Sequence, residues 1–191
     1  MMWYHVEKVL QGVPEMLIRR ACAADAPHVA AIYDHYVRCT AVTFATATPS
    51  ADHYARQMAD LRYPFLVCEE EGRVTGFAYA AAFRTKEAYR WGVELTIYLA
   101  PDAPRRGGRG RALLEECLAL LRQQGYLQAY SCITLPNGAS IGLHEALGFR
   151  EIGRFPATGY KLGRWHDVVW LGLQLGEMAD DPPEPAQLPT V

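Results

Sequence analysis

The residue types that most clearly predict chemistry form a glycine- and arginine-rich stretch, Arg105-Arg106-Gly107-Gly108-Arg109-Gly110. Glycines leave the backbone uncovered, so that consecutive N–H groups can point at an anion. A helix predicted from Arg111 onward adds the partial positive charge of its N-terminus, and the arginines can donate charge-assisted hydrogen bonds. The stretch therefore predicts a cradle for a diphosphate, with a flexible, solvated glycine loop as the alternative.

Two titratable residues outside this stretch could move protons. Glu94 occupies the polar phase of a strand predicted at 93–99, where it could be a general base or only a carboxylate on an edge strand. His144 falls in a predicted helix, where an imidazole could donate or accept protons near neutral pH or simply hold a hydrogen bond. By contrast, His166 and Asp167 predict no metal site, because no third ligand stands at a suitable spacing.

The elements that must position these residues are strands and helices in irregular alternation. Hydrophobic periodicity predicts strands at 17–21, 42–48, 65–70, 74–83, 93–99, 128–135, 150–155 and 168–175, and helices at 27–38, 50–61, 111–124 and 137–147. The glycine stretch thus lies between a strand and a helix, as an anion-binding turn requires. The order of elements predicts an α/β fold of the α+β type, with one mixed sheet in a single domain at 16–176.

Composition narrows the class of protein further. The chain has 191 residues, half of them hydrophobic, and a net charge of −2, so no basic field favours nucleic acid. No apolar run is long enough to span a membrane. The five cysteines show no CxxC spacing, which predicts reduced thiols in a cytoplasmic protein; they are Cys22, Cys39, Cys68, Cys117 and Cys132.

The two ends of the chain are predicted to be peripheral to this domain. Residues 1–15 precede the first strand and are expected to be an N-terminal extension, either disordered or the product of an upstream start site. Residues 177–191 form an acidic, proline-rich tail, which is expected to be frayed because it has few apolar residues to bury.

Several segments resemble a known family. Arg105-x-x-Gly108-x-Gly110 matches the Gln/Arg-x-x-Gly-x-Gly/Ala signature of the GNAT superfamily of N-acetyltransferases. The sequences YRWGVELTIYL at 89–99, LPN at 135–137, LHEALGF at 143–149 and GYKxGxWHDV at 159–168 resemble its phosphinothricin and methionine sulfoximine acetyltransferases. The likeness covers roughly 16–175. It implies the GNAT fold, a mixed and mostly antiparallel sheet flanked by helices, and transfer of an acetyl group from acetyl-CoA.

The resemblance also implies roles for individual residues. Backbone groups of Ile97, Tyr98 and Leu99 are expected to pair with the pantetheine arm of acetyl-CoA, and residues 105–110 to hold its diphosphate. Asn137, which also suits a helix N-cap, and His144 are expected to contact the cofactor. Because acetyl transfer needs a neutral amine and a protonated leaving thiolate, Glu94 is predicted to be the general base and His144 the proton donor or only a cofactor contact.

The acceptor is expected to be a small amino-acid-like amine, such as phosphinothricin, methionine sulfoximine or methionine sulfone. A basic cluster precedes Glu94, and arginine can bind a substrate carboxylate in bidentate fashion, although a solvated loop residue is the simpler interpretation for each one. The predicted substrate contacts are Arg84, Lys86, Tyr89, Arg90, Glu94, Leu95, Thr96 and Phe44. No metal is predicted.

Two other functions remain open from the sequence. A peptide or protein N-acetyltransferase would need an open groove for an extended chain, and a non-catalytic acyl-CoA sensor would need neither Glu94 nor His144. The resemblance implies a homodimer whose pocket could be shared between subunits. Neither nucleic acid nor a membrane is expected as a partner.

Overall fold

In the computed structural model, which describes residues 16–104 and 107–190, seven strands form one sheet against which four α-helices pack. The strands are β1 (Met16–Arg20), β2 (Phe65–Glu70), β3 (Arg73–Ala82), β4 (Gly92–Leu99), β5 (Gln128–Thr134), β6 (Arg150–Lys161) and β7 (Arg164–Gln174). The helices are α1 (Ala26–Cys39), α2 (Ala51–Met58), α3 (Arg109–Gln124) and α4 (Gly138–Ala146). The predicted extension at 1–15 and the residues Arg105 and Arg106 lie outside the described residues.

The sheet has the strand order β1-β2-β3-β4-β5-β7-β6, and only its β4–β5 pair is parallel among the described strands. This confirms the predicted mixed, mostly antiparallel sheet. The parallel pairing covers only Gly92–Glu94 against 128–130. Strand β3 nevertheless follows β4 as far as Leu99, and β7 follows β5 as far as Thr134. The two central strands therefore separate beyond Glu94 and leave a wedge-shaped gap in the middle of the sheet.

The core is divided between the two faces of the sheet. On one face, α3 buries Leu113, Leu114 and Leu121 completely against alternate residues of the central strands. On the other face, α1 and α2 cover Phe77 and the residues that share its side of the sheet. Full burial of one such side chain stabilises the fold by about 1.5–3 kcal/mol. Both layers are therefore anchored to the strands that border the gap.

Two predictions of secondary structure are wrong. Residues 42–48 form a bent loop, because side chains bind its backbone: Lys161 Nζ donates to the Thr43 carbonyl at 2.8 Å, and Thr43 Oγ1 accepts from Ala45 N at 3.2 Å. Strands β6 and β7 are also much longer than predicted. They meet at Leu162 and Gly163, whose φ angles of 52° and 78° are those of a tight hairpin turn.

Most of the described C-terminal tail is exposed, but two of its residues are anchored to the domain. It has no helix or strand after Gln174, but Leu188 is only 6 % exposed. Ala186 N donates to the carbonyl of Gln124 at 2.7 Å, and Leu188 N donates to the carbonyl of Leu61 at 2.8 Å. Because Gln124 ends α3, its carbonyl has no partner within the helix. At these two points the tail is held by carbonyl groups of the domain, one of which has no partner within its own helix.

Candidate active site

The gap between β4 and β5 opens into a cleft that contains a cavity of about 260 Å³. Its walls come from β4, β5, the loop after α1 and the start of α4. Many of the residues predicted from the sequence meet here: Phe44, Glu94, Leu95, Thr96, Ile97, Tyr98, Asn137 and His144. Past Glu94, the edge of β4 that faces β5 has lost its strand partner, so its backbone groups are available to a ligand. This edge is where the pantetheine arm is expected to pair.

Glu94 lies at the narrow end of this gap. Burial raises the pKa of its carboxyl above the usual value, while the positive charge of Arg84 opposes that rise. The guanidinium of Arg84 is held by its donation to the Phe83 carbonyl at 2.7 Å, and it lies 4.1 Å from the centre of the Phe83 ring and 5.5 Å from that of Trp170. A carboxylate with a raised pKa beside a cavity is well suited to accept a proton.

No member of the predicted basic cluster lines the cavity, although the charge of Arg84 acts on Glu94. Arg90 forms an ion pair with Glu184 of the tail at 2.6 Å and lies 4.0 Å above the Trp91 ring. Lys86 and Tyr89 are exposed, and neither is among the described residues that line the cleft. Of the predicted cationic contacts, the structure therefore brings only the charge of Arg84 close to Glu94.

His144 is 2 % exposed and lines the cleft from α4. Its Nδ1 lies 2.8 Å from the carbonyl oxygen of Ser140, and since a carbonyl can only accept, Nδ1 must carry a proton. Burial lowers the pKa of the imidazole below its usual value, although the bond to Ser140 partly opposes this. At neutral pH the ring is therefore uncharged, and its Nε2 can accept a hydrogen bond but has no proton to donate.

Asn137 performs the capping role predicted for it, because its Oδ1 accepts from Ser140 N at 3.3 Å. It also lines the cleft. Leu99 is placed differently from Ile97 and Tyr98. Its carbonyl accepts from the hydroxyl of Tyr36 at 2.6 Å, and it is not among the described residues of the cavity wall.

The described part of the glycine stretch has the geometry of an anion cradle. Gly108 is the N-cap of α3 with a φ of 78°, in the left-handed region that favours glycine. A Cβ atom on Gly107 would lie 2.5 Å from Arg109 Nη1, so a side chain could not be added there without a shift. The first N–H groups of α3 have no partner within the helix. The backbone therefore offers N–H groups to an anion here, which is where the diphosphate is expected to bind.

The side chain of Arg109 was predicted to help hold the diphosphate, but in the structure it supports the loop from inside the protein. Its side chain is only 7 % exposed, its Nε pairs with the Glu70 carboxylate at 2.7 Å, and its Nη1 donates to the Pro104 carbonyl at 3.0 Å. The guanidinium is thus turned into the protein, where it holds the loop to β2. A contact between Arg109 and a phosphate is left to its backbone N–H.

Strand β5 also contributes to the site, a contribution that was not predicted from the sequence. Tyr130 is the register partner of Glu94, so Cys132, two residues further along, lies on the same face as Glu94. Burial and the nearby charge of Glu94 raise the pKa of the Cys132 thiol to about 11. The thiol is therefore protonated at neutral pH. The strict alternation of a strand was the signal available for these residues, but the register between β4 and β5 could not be read from the sequence.

In the described part of the chain, no three His, Cys, Asp or Glu residues are grouped so that they could hold a metal ion. Likewise, no helix within the described ranges has the length and apolar character needed to cross a membrane.

Comparison with known proteins gives consistent matches. A family model described as an acetyltransferase (GNAT) domain matches residues 18–170. Phosphinothricin N-acetyltransferase of Streptomyces viridochromogenes is 40 % identical over 153 residues, which cover 79 % of this chain and 83 % of that protein. An L-methionine sulfoximine/L-methionine sulfone acetyltransferase of Salmonella typhimurium is 38 % identical over 169 residues, covering 86 % of this chain and 97 % of that protein.

A solved structure also matches over most of its length. The GNAT superfamily phosphinothricin acetyltransferase of Sinorhizobium meliloti, in complex with acetyl-CoA, has a TM-score of 0.83 and 39 % identity. The match covers 88 % of this chain and 94 % of that one.

Proposed function

The chain belongs to the GNAT acetyltransferase family and is an acetyl-CoA-dependent N-acetyltransferase, and we propose that it acetylates the α-amine of a small amino acid or close analogue, with Glu94 as the general base. The observation that carries the proposal is the position of Glu94, half-buried at the narrow end of the gap beside the cavity. A base at this point can accept the proton of an amine that attacks an acetyl group held in the gap.

The choice of a small amino acid rests on charge and on the names of the relatives. Arg84 is the cation that acts on Glu94, so an acceptor whose amine meets Glu94 could place a carboxylate near Arg84. Phosphinothricin and methionine sulfoximine, after which relatives are named, are amino acids that carry both groups. Thr96 and Phe44 would contact the side chain of the acceptor.

Within this proposal, Glu94 takes the amine proton directly or through one water, and His144 contacts the cofactor through an accepting Nε2. The hydrogen bond from His144 to Ser140 fixes the tautomer in which Nε2 has no proton. His144 is therefore proposed as a cofactor contact and not as the proton donor. Its role in catalysis is to orient the acetyl donor.

The test is a substrate panel in which thiol release from acetyl-CoA is followed with each amine. The panel contains phosphinothricin, methionine sulfoximine, methionine sulfone, the decarboxylated analogue of methionine sulfone, and a peptide beginning with methionine. We expect the amino acids to react and the loss of the carboxylate to reduce kcat/KM at least about tenfold, since a charge-assisted hydrogen bond contributes about 1.5–3 kcal/mol. Arg84→Met should lose most of this discrimination.

The other outcomes decide against the proposal. A peptide that reacts faster than every free amino acid would identify a peptide or protein N-acetyltransferase. Tight binding of acetyl-CoA without turnover of any amine would identify a sensor. Equal rates with the sulfone and its decarboxylated analogue would remove Arg84 from carboxylate recognition.

The proposal also covers the oligomeric state of the protein and its cellular compartment. The β6–β7 hairpin exposes large apolar side chains, each more than half exposed: Ile152, Phe155, Tyr160, Leu162 and Trp165. Such a surface supports a homodimer through this hairpin. The expected result in light scattering after size-exclusion chromatography is a mass of two chains, and a monomer at micromolar concentration would contradict it. All five cysteines are free thiols, which supports the cytoplasm as the compartment.

A further inference from the structure

Ser131 has a buried hydroxyl that nothing in the described protein satisfies. The residue is 2 % exposed, and its Oγ has no hydrogen-bond partner among the described residues. Most buried side-chain polar atoms in folded proteins are paired, because a hydroxyl removed from water without a partner destabilises the fold. A ligand that arrives with a hydrogen-bond acceptor is one way to satisfy such a group, and Ser131 lines the cleft where a ligand would bind.

Ser131 also has a defined position in the sheet, at the point where the pairing of the two central strands ends. The last paired residues of the central strands are Glu94 and Tyr130, so Ser131 is the first residue of β5 inside the gap. Ala129 and Ile133, its neighbours in the alternation, belong to the core beneath α3. Ser131 therefore lies at the apex of the gap, on the face of the sheet opposite to that of Glu94.

The part of acetyl-CoA that reaches this apex follows from the fold. The diphosphate cradle adjoins Ile97 and Leu99 at the open end of β4, where their side chains approach Gly110. From Leu99 back to Leu95, at the apex, β4 spans about 13 Å. An arm that starts at the cradle and runs along the free edge of β4 carries its thioester to the apex.

Resting on the proposed acetyl transfer, we propose that Ser131 is a further catalytic residue, whose hydroxyl donates a hydrogen bond to the thioester sulfur and to the thiolate as it leaves. The amine nitrogen forms a bond to the carbonyl carbon, the carbon–sulfur bond breaks, and its electron pair goes to sulfur. Glu94 takes the amine proton. The Ser131 proton stays on Oγ and stabilises the negative charge that develops on sulfur, and the thiolate takes up its proton from water as CoA leaves.

The arrangement of donors assigns Ser131 to sulfur rather than to the carbonyl oxygen. The free backbone groups of β4 line one wall of the gap, and its N–H groups are the donors available to that oxygen. Ser131 belongs to β5, the opposite wall. His144 lines the same cleft, but its Nδ1–H is engaged with Ser140, which leaves Nε2 as an acceptor. The Cys132 thiol lies on the Glu94 face of β5, so the hydroxyl of Ser131 is the unpaired side-chain donor that the described residues of β5 offer at the apex on the opposite face.

The test needs a readout that does not depend on turnover, and the binding of CoA compared with desulfo-CoA provides one. Isothermal titration calorimetry at pH 9 measures both affinities in the full-length protein, at a pH where a hydrogen-bond donor at the sulfur can favour binding of the thiolate form of CoA. The wild type should bind CoA at least about tenfold more tightly than desulfo-CoA, as expected for a hydrogen bond to a charged group. Ser131→Ala should bring this ratio close to one, and Ser131→Thr, which keeps the hydroxyl, should restore it.

Kinetics and stability supply the second half of the test. Ser131→Ala should lower kcat about 10- to 100-fold with the KM for acetyl-CoA within about twofold, and its melting temperature should be equal or higher because no hydrogen bond is lost. The matched control is Thr75→Val, whose buried Oγ1 donates to the Cys68 carbonyl at 3.3 Å. This control should lower the melting temperature and leave kcat unchanged.

Each contrary result has a distinct meaning. If Ser131→Ala retains both the wild-type affinity ratio and kcat, Ser131 has no role at the sulfur and the inference is wrong. If its kcat falls only together with its melting temperature, Ser131 is structural, and the inference is also wrong. A wild-type protein that binds CoA but acetylates no amine would overturn the proposed function as well, and the affinity ratio would still decide whether Ser131 contacts sulfur.

Discussion

Replacement of Glu94 by glutamine tests the base and its burial at the same time. The change keeps the shape of the side chain but removes its capacity to accept a proton at neutral pH. General base catalysis contributes about 10²- to 10⁴-fold, so kcat/KM for the amine should fall by that factor. The Kd for acetyl-CoA should stay within about twofold, since the predicted cofactor contacts are elsewhere. Stopped assays of thiol release and calorimetry measure the two quantities.

The stability of this variant carries an independent signature. The folded-state pKa of Glu94 is raised, mainly by burial, so near that pKa the folded protein binds more protons than the unfolded chain. Stability from this group is therefore present at low pH and is lost as the pH rises through the folded pKa. At pH 7.5 the wild type carries an ionised carboxylate that destabilises the fold, whereas the glutamine variant has no such charge and should melt at an equal or higher temperature. At pH 4 the carboxyl of the wild type is more fully protonated, so the difference in melting temperature between the two proteins should be smaller.

The pH profile of the wild type provides the refutation. Its kcat/KM should fall on the acid side with a pKa above the ordinary 4.5 of glutamate. Because Arg84 lowers this pKa, Arg84→Met should move the acid limb to higher pH. Arg90→Met is the control, since Arg90 pairs with Glu184 and should leave the limb in place. A glutamine variant with near wild-type kcat/KM, or an acid limb unmoved by Arg84→Met, would refute the reasoning.

Three further predictions concern the cradle, its support and the tail. Gly108→Val should raise the Kd for acetyl-CoA at least about tenfold, because a β-branched residue is strained at a φ of 78°, and an unchanged Kd in calorimetry would argue against the cradle. Arg109→Met should lower the free energy of urea unfolding by about 3–5 kcal/mol, since it leaves Glu70 buried without its cation. Removal of residues 177–191 exposes the site of Leu188 and should lower the melting temperature, with kcat retained if the tail is only structural.

The elements that create the site could largely be predicted from the sequence, because their signals are local. The stripe of Leu113, Leu114 and Leu121 indicates the buried face of α3, and alternation along 93–99 indicates a strand with one polar face. The glycines at the end of that strand mark its turn into the helix. The same signals place Glu94 on this strand and the cradle in the connection from the strand to α3, and this arrangement is the basis of the functional proposal.

What could not be predicted depends on contacts between distant parts of the chain. Arg109 and Arg90 are of a residue type that often binds anionic ligands, but both pair with carboxylates of the protein. Arg109 pairs with Glu70, 39 positions away in the sequence, and Arg90 pairs with Glu184 in the tail. The tail is too polar to form a core of its own, so its order depends on acceptors such as the Gln124 carbonyl. The residue type shows that a side chain can bind an anion, whereas the tertiary structure determines whether that anion is a ligand or a carboxylate of the protein.

The separation of β4 from β5 explains how one small domain can serve both ends of an acetyl transfer. A continuous sheet would keep the two faces apart, and a group on one face could not act on an atom reached from the other. Here the pairing stops after Glu94, so a thioester in the gap is accessible to Glu94 from one face and to Ser131 from the other. In the proposed reaction, the amine loses its proton to Glu94 on the first side while charge develops on sulfur beside Ser131 on the second. The backbone groups that β4 and β5 leave unpaired with each other beyond Glu94 are available to an acetyl donor in the gap, so binding of the donor would also complete the reaction site.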